Sequence, residues 1–270
     1  MLPGVYEARK KDHTLYYRSS ITWKRKHISL GSFETEEKAN EAYQYAAFLL
    51  TNETASLSEL FSDYEIKNPP ISFDKIVSLM NFRDNNLYIG NPIYLKKGYF
   101  IYYLSPVEEL KFDIDDLFYY SSHKILRRNG HLYVNDYGMQ VTILSRYGVR
   151  AHAVCGKDYQ FVNGDRMDFR YSNIQVINPY YGVTEIRTPE EVHYTARIHI
   201  NGCYTLGRFS SAEKAAIAYN KAVDLAHRHG IGKNFPENYI ETLSASEYAE
   251  LYMKLKLSSS YLDYLKGLPN

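Results

Sequence analysis

The sequence predicts an α+β protein in which two copies of a small three-stranded antiparallel sheet, each backed by one helix, flank a central region. Three observations predict this fold class. One long motif occurs twice in the chain. In both copies, segments of alternating polar and apolar residues precede a segment with helical periodicity. Turn signals separate the alternating segments, and Asn201-Gly202 is the clearest of them because this dipeptide favours a tight hairpin.

The repeat consists of two similar segments: "ISLGSFETEEKANEAYQYAA", which starts at Ile28, and "YTLGRFSSAEKAAIAYNKAV", which starts at Tyr204. Identical residues fall at one constant offset: Leu30, Gly31, Phe33, Glu37, Lys38, Ala39, Ala42 and Tyr43 match Leu206, Gly207, Phe209, Glu213, Lys214, Ala215, Ala218 and Tyr219. Upstream, "GVY" at Gly4 matches "GVT" at Gly182, and "YRSSITW" matches "YTARIHI". We therefore expect two copies of one domain.

In the C-terminal copy, alternation assigns the side chains of each strand to two faces. The inward face, which meets the helix, holds Ala196, Ile198, Ile200, Tyr204 and Leu206. The free face holds Thr195, Arg197, His199, Cys203 and Thr205. Ser210 and Glu213 have the spacing of a capping box that starts an alanine-rich helix.

The N-terminal copy carries more positive charge on the corresponding face. Its outward residues are Arg18, Ser20, Thr22 and Lys24, followed by Arg25 and Lys26 in a turn one residue longer, and then by His27 and Ser29. Cationic side chains contact phosphates, and Arg or Lys can also hydrogen-bond the edges of guanine in a major groove. A solvated sheet face without a ligand is the alternative for either copy taken alone.

Both copies resemble the DNA-binding domain of the plant APETALA and ethylene-response-factor proteins, which also accompanies homing endonucleases of phages and mobile elements. "ARIHINGCYTLGRFSSAEKAAIAYNKAV" is the closer match, and the N-terminal copy keeps the Leu-Gly-x-Phe and Ala-Tyr positions. The resemblance implies that DNA is read by the sheet. This role would fall to Thr195, Arg197, His199 and Thr205, and to Arg18, Ser20, Thr22 and Lys24.

Between the copies, "YQFVNGDRMDFRYSNIQVIN" resembles the central part of an HNH nuclease, which is a ββα unit. In that family an Asp-His pair precedes the Asn-Gly-Asp turn, and the His activates water while a carboxylate helps to hold a divalent metal. Here Gln160 and Phe161 stand at those two positions, and neither side chain can do this chemistry.

The other polar residues of the motif are present: Asn163, Gly164, Asp165, Asp168, Arg170 and Asn173. We expect them to form a polar turn and a strand-to-helix junction, with phosphate contacts from Arg166 and Arg170. His123, His131 and His152 lie in the same region, but no pair of them has a compelling ligand spacing. The sequence therefore predicts no catalytic residue, no metal and no cofactor.

The expected domains are an N-terminal sheet domain (1–52), a partly helical connecting region (53–95), a degenerate HNH-like domain (96–180), a C-terminal sheet domain (181–240) and a helical tail (241–270). The net charge is only +1, but positive charge is concentrated before Phe33, and acidic residues cluster in "VEELKFDIDDLF". Two cysteines are too few for a disulfide framework. No signal peptide or membrane span is expected, so we expect a prokaryotic cytoplasmic or nucleoid protein.

These patterns predict a sequence-specific double-stranded DNA-binding protein, a transcriptional repressor of a phage or mobile element derived from a homing endonuclease that has lost cleavage. Two alternatives stay open. One is an active HNH homing endonuclease with a rearranged site. The other is a protein-interaction factor that inhibits a host or competitor protein through its acidic central region. A homodimer is also left open, because the apolar faces of the helical tail could pack on the body of the chain or on a second copy.

Overall fold

The protein is described by a computed structural model that covers residues 1–62 and 64–268. Its fold is α+β, with four three-stranded antiparallel sheets and one two-stranded sheet among the described residues. The chain divides into two compact units. Unit 1 comprises Met1–Ile143 and Phe161–Ile174, and unit 2 comprises Leu144–Gln160 and Gln175–Asn270. Residues 96–180 thus contribute to both units.

The elements of unit 1 follow one another along the chain. They are β1 (Val5–Arg9), β2 (Leu15–Trp23), β3 (Lys26–Phe33), α1 (Glu36–Thr51), α2 (Leu57–Ser62), α3 (Tyr64–Lys67), α4 (Phe73–Asn85), β4 (Ile93–Leu95), β5 (Tyr99–Ser105), β6 (Glu108–Asp113), α5 (Leu117–Ser122), β7 (Ile125–Arg128), β8 (His131–Asp136) and β9 (Met139–Thr142). The sheets are β1-β2-β3, β4-β5-β6 and β7-β8-β9.

Two short strands, β10 (Tyr159–Phe161) and β11 (Ile174–Val176), pair in the two-stranded sheet. The remaining elements belong to unit 2: β12 (Val183–Arg187), β13 (Val192–His199), β14 (Cys203–Phe209), α6 (Ala212–Arg228), α7 (Ala245–Lys254) and α8 (Ser259–Lys266). Strands β12, β13 and β14 form the last sheet in that order.

The two repeated segments have the same strand register. Val5 pairs with Ser19 in the first copy, and Val183 pairs with Ala196 in the second. The second and third strands shift register by one residue at equivalent places, directly after Ser19 and directly after Ala196. Such a β-bulge bends the strand and increases its twist, so both sheets carry the same local distortion.

Helix α1 and helix α6 also begin in the same way. The hydroxyl of Thr35 accepts a hydrogen bond from the backbone N–H of Lys38, and the hydroxyl of Ser211 accepts one from Lys214. A side-chain oxygen in this position satisfies one of the free N–H groups of the first helical turn. The helix-start prediction based on Ser210 is therefore wrong by one residue.

One glycine in each copy lets the first strand approach its helix. Gly4 and Gly182 both have left-handed φ angles, +73° and +68°, and an added Cβ would overlap Tyr43 or Tyr219, respectively. The carbonyl of Gly4 accepts from the N–H of Ser20 at 3.0 Å, and that of Gly182 accepts from Arg197 at 2.7 Å. These positions require glycine because both the φ angle and the close contact exclude a side chain.

The region expected to connect the domains forms part of the core of unit 1. Helix α4, which lies in the region expected to be partly helical, buries Ile76, Val77, Leu79 and Met80 against apolar residues of α1 and of the first sheet. The Arg83 guanidinium donates to the carbonyls of Leu49, Asn52 and Ala55 near the end of α1. This cation satisfies carbonyl groups that the helix leaves unpaired.

The tail helices pack on the C-terminal repeat, which settles where their apolar faces lie within the chain. Tyr261 of α8 is fully buried, and its hydroxyl donates to the carbonyl of Ala222 at 2.7 Å. The backbone N–H of Ser258 donates to the carbonyl of Leu206 at 2.8 Å, beside strand β14. Lys221 donates to the carbonyls of Tyr252 and Leu255 at the end of α7.

The polar motif expected to form a strand-to-helix junction ends in a short 3₁₀ helix, Tyr171–Asn173, and no α-helix follows it before β12. Residues 177–182, which link β11 to β12, contain no helix. The buried side-chain amide of Asn178 donates to the Asp158 carboxylate at 3.0 Å and to the carbonyl of Val183 at 2.7 Å, which fixes this link as a turn. Pro179 follows directly, and a proline disfavours helical geometry in the residue before it.

No helix within the described residues combines the length and the apolar character needed to cross a membrane.

Candidate nucleic-acid interface

The outer face of the C-terminal sheet carries most of the residues predicted for it. Arg197, His199 and Thr205 are exposed. Thr195 is an exception: it is only 3 % exposed, and its hydroxyl has no hydrogen-bond partner in the described structure. The prediction that Thr195 lies on the free surface is therefore wrong. The β-bulge after Ala196 interrupts strict alternation, so two successive residues are buried before it.

The N-terminal sheet shows the same pattern. Arg18, Thr22 and His27 are exposed, whereas Ser20 is 7 % exposed and follows the buried Ser19 directly. The predicted exposure of Ser20 is therefore wrong. Ser20 directly follows the equivalent bulge, whereas Thr195 precedes its own, and the register equivalent of the buried Thr195 is the exposed Arg18. The other seven predicted outward residues are exposed: Arg18, Thr22, Lys24, Arg25, Lys26, His27 and Ser29.

The exposed side chains of the N-terminal sheet are partly ordered by their neighbours. Arg18 donates from Nε and Nη2 to the hydroxyl of Tyr16, at 3.2 and 2.8 Å. Thr22 and His27 are cross-strand partners, and their Oγ1 and Nδ1 atoms are 3.4 Å apart. An arginine held in this way loses less conformational entropy when it binds a ligand.

Three cations lie at the tip of the hairpin between β2 and β3. Trp23 pairs with Lys26, so the turn consists of Lys24 and Arg25, one residue earlier than the sequence predicted. The prediction that this turn is longer than that of the C-terminal copy is also wrong, because His199 pairs with Cys203 and leaves three residues between them. Both have left-handed φ angles, +42° and +67°. Lys24 hydrogen-bonds the Asn86 side chain, and the Lys26 ammonium lies 5.6 Å from the centroid of the Tyr88 ring. Residues that are neither Gly nor Asn are strained in this turn, and such strain often marks functional segments.

An aromatic cluster surrounds the position where a nuclease would place its general base. Phe161 packs edge-on against Phe169, with ring centroids 5.8 Å apart, and Phe169 stacks on Phe112 at 5.5 Å. Phe112 and Phe169 are buried. Gln160, at the expected carboxylate position, is exposed and donates to the side chain of Gln175 at 2.6 Å. Phe161 therefore contributes to packing, and Gln160 links strand β10 to strand β11 through Gln175.

The surviving polar residues of the motif bind one another. Asn163 donates from Nδ2 to the Asp168 carboxylate at 3.1 Å, and its backbone N–H donates to the side chain of Asn173 at 2.8 Å. Asp165 accepts from the N–H of Met167 and forms an ion pair with Lys111 at 3.2 Å. The turn is thus held by side-chain to backbone bonds of the kind that Asn and Asp commonly form.

Asp168 and Arg170 form the strongest pair in this turn. Arg170 donates from Nε and Nη2 to the two carboxylate oxygens at 2.9 and 2.6 Å. Burial raises the pKa of the Asp168 carboxyl, but the hydrogen bonds and charge of Arg170 outweigh burial and hold that pKa below its ordinary value. The same hydrogen bonds raise the pKa of Arg170. Of the two arginines expected to contact phosphate, Arg166 is exposed. Arg170 is already paired with Asp168, so a phosphate would have to compete with that carboxylate.

The histidines of the central region do not converge. His123 stacks on Tyr119 with centroids 4.2 Å apart and lies 3.5 Å from Asp136. His131 is an exposed residue of β8, and His152 is exposed in a turn with a φ angle of +62°. Within residues 1–62 and 64–268, no three His, Cys, Asp or Glu side chains form a group that could hold a metal.

Unit 2 contains a cleft of about 1050 Å³ that the sequence did not predict. Its lining includes Arg197 from the C-terminal sheet and Arg150, His152 and Lys157 from the segment before β10. The signal available in the sequence was the group of cations between Arg150 and Lys157. Nothing in the pattern, however, indicates that this group and Arg197 line the same cleft.

The chain was compared with protein-family models, curated proteins and solved structures, and none of them matches it.

Proposed function

We propose that the chain is a sequence-specific double-stranded DNA-binding protein, a transcriptional repressor of a phage or mobile element that descends from an HNH homing endonuclease and has lost cleavage. The observation that carries this proposal is the pair of repeats with one register, each presenting cationic and hydroxyl side chains outward. These are Arg18, Thr22 and His27 in the first copy, and Arg197, His199 and Thr205 in the second.

The chemistry of these faces fits a DNA major groove better than a protein partner. A groove is wide enough to admit a β-ribbon, and its base edges offer acceptors to Arg and His and partners for hydroxyls. Protein interfaces are instead centred on aromatic and apolar residues. On β2 and β13 the exposed large apolar residues, Leu15 and Val192, lie at the first residue of each strand, away from Thr22 and His199 near the hairpin tips. Two linked modules also raise affinity, because binding of the first increases the effective concentration of the second.

The loss of cleavage is supported by the residues at the former catalytic positions. A general base must reach the proton it removes, and Phe161 offers only a ring that packs against Phe169. Asp165 and Asp168 carry the charge a metal would need, but each is already bound to a cation, Lys111 or Arg170. Their role in the proposal is to hold the turn.

The acidic stretch offers little support for a protein-interaction factor. Glu108 forms an ion pair with Arg127 at 2.7 Å, and Asp113 accepts from the backbone N–H of Tyr171 at 2.7 Å. Asp116 is buried. Among its acidic residues only Glu109 and Asp115 are exposed, so the carboxylates do not form a clustered surface. The same stretch also exposes the apolar side chains of Val107, Ile114 and Phe118.

Replacing both Arg197 and His199 by alanine should weaken binding to the selected duplex more than to an unrelated one, while leaving the fold intact. Both side chains are exposed, and one good contact to a base edge contributes about 1 to 3 kcal/mol of discrimination. A binding site is first selected from a library of randomised duplexes. Fluorescence anisotropy then gives Kd for the selected duplex and for an unrelated one.

Arg228→Ala is the matched control, since it removes an exposed arginine from α6 in the same unit. We expect this variant to bind both duplexes as the wild type does. If the Arg197 and His199 double variant kept the full preference of the wild type, the C-terminal sheet would not be the reading surface.

A further inference from the structure

The cleft in unit 2 has a lining of unusual composition for its size. Its volume is about 1050 Å³, at the upper end of the range for small-molecule pockets. Such pockets are mostly apolar with a few placed polar groups. This lining instead includes five basic residues, Arg150, His152, Lys157, Arg187 and Arg197. The chemistry fits an extended polyanion better than a compact apolar ligand.

The acidic residues of the cleft are already neutralised. Asp158 is bound by Arg150 at 2.6 Å, and Glu185 is bound by Arg187. Lys157 and Arg197 have no acidic partner among the described residues. The positive charge available to a ligand therefore comes from one residue of the loop before β10 and one residue of the C-terminal sheet.

The loop that carries Lys157 is held by a buried carboxylate. Asp158, which is 8 % exposed, accepts from the N–H of Val154 at 2.7 Å and from the Asn178 amide at 3.0 Å, in addition to Arg150. Its own carbonyl accepts from the N–H groups of Ile177 and Asn178. A loop anchored in this way presents its side chains without a large ordering cost on binding.

The lining also indicates which kind of polyanion fits. Proteins that bind single strands stack the bases on aromatic side chains. Among the described residues that line the cleft there is no Phe, Tyr or Trp. Arg, Lys, Gln and Thr side chains, which it does contain, are typical contacts to the phosphates and sugars of a duplex.

We propose that this cleft holds the sugar–phosphate backbone of the same duplex whose groove is read by the C-terminal sheet. The inference rests on the proposed function and adds the segment of residues 150–160 to the interface. Lys157 contacts a phosphate there, and Arg197 lies where the backbone contact and the groove contact meet. Gln160 is exposed in β10, three residues after Lys157, and also lines the cleft, so an acidic residue at this position repels the backbone.

The test compares Lys157→Gln and Gln160→Glu with the wild type, using the full chain, the selected duplex and an unrelated duplex. Both positions are exposed, so the fold should persist, which thermal unfolding checks. Lys157→Gln should weaken binding to both duplexes by a similar factor and reduce the slope of log Kd against log salt by about one ion. Gln160→Glu should weaken both as well. Lys256→Gln, an exposed lysine outside the cleft, should change neither.

The outcomes separate this inference from the proposed function. If both cleft variants bind as the wild type does and the Arg197 and His199 variant loses preference, the cleft does not contact the DNA backbone. The proposed DNA-binding function would still stand. A loss confined to the selected duplex makes Lys157 a base contact and also overturns the backbone assignment. If the wild-type protein selects and binds no duplex, both proposals fall together.

Discussion

Gly182→Ala should destabilise unit 2 by about 2 to 5 kcal/mol, because an alanine there combines backbone strain with overpacking. Gly182 has a φ angle of +68°, in the left-handed region. An added Cβ would overlap the ring of Tyr219 and lie 2.5 Å from the carbonyl oxygen of Arg197. The ring of Tyr219 can rotate away from an added Cβ, but the Arg197 carbonyl is part of the backbone of β13 and cannot. The first strand of the sheet must therefore move away from α6.

Hydrogen exchange measures this effect by location. Amide protons of β12, β13 and β14 should exchange faster in Gly182→Ala protein, while those of β1, β2 and β3 keep their wild-type rates. Gly232→Ala is the control, since nothing lies within 4 Å of a Cβ at that position and its φ is not left-handed. Wild-type protection in the Gly182 variant would show that the contact between β12 and Tyr219 is not tight.

Asp168→Ala should lower the free energy of unfolding of unit 1 by about 2 to 4 kcal/mol, since removing one member of a buried pair leaves its partner unsatisfied. The Asp168 side chain is 1 % exposed and accepts from Arg170 and Asn163. Arg170 is 37 % exposed, so water compensates part of the loss and the expected value lies below that of a fully buried pair. Urea unfolding followed by the fluorescence of Trp23, the single tryptophan of the chain, reports on this unit.

The Asp168–Arg170 pair also predicts that the stability of unit 1 depends on pH. The pKa of Asp168 in the folded protein lies below its ordinary value of 3.8. The folded state therefore binds this proton less readily than the unfolded state does, and the carboxylate contributes stability above about pH 4 that is lost as pH falls further. Asp168→Asn keeps the size of the side chain without its charge. The difference in stability between wild type and this variant should shrink below pH 4, and a constant difference would show that the carboxylate charge is not involved.

Much of the two repeats could be predicted from the sequence because short-range signals agree there. Alternation placed Ile198 and Leu206 in the core and Arg197 and His199 on the surface, and the structure has them so. The alanine-rich helix and the place of the hairpin at Asn201-Gly202 also agree with the structure, although the connection has three residues, Ile200, Asn201 and Gly202. Local propensity and the pattern of burial point to the same elements in these segments.

The errors arise where the backbone departs from regular geometry. In each repeat a β-bulge places an extra residue, Leu30 or Leu206, in the third strand, and no residue type marks it. Ser20 and Thr195, which alternation assigns to the exposed face, lie beside these bulges and are buried. The strand-to-helix junction expected from the resemblance to HNH nucleases is a single 3₁₀ helix, Tyr171–Asn173, before β11. After β11 the contacts of Asn178 form a turn.

The cleft in unit 2 could not be predicted for a different reason. Its cations come from the loop before β10 and from the C-terminal sheet, which are separated in sequence by β11 and the turn that follows it. Alternation and helical periodicity describe single elements, and they contain no information on which loop lies beside which strand. The role of α4 as a core helix was missed for the same reason, because its partners in α1 and the first sheet are distant in the sequence.

The central claim is that the chain binds specific duplex sites without cutting them. The most direct measurement incubates the full-length protein with duplexes of randomised sequence, in magnesium and separately in manganese, and sequences both the retained duplexes and any new ends. The account predicts that a defined set of duplexes is retained and that neither strand acquires a new end. Metal-dependent nicks that disappear in Asp165→Ala protein, while folding and retention persist, would contradict it.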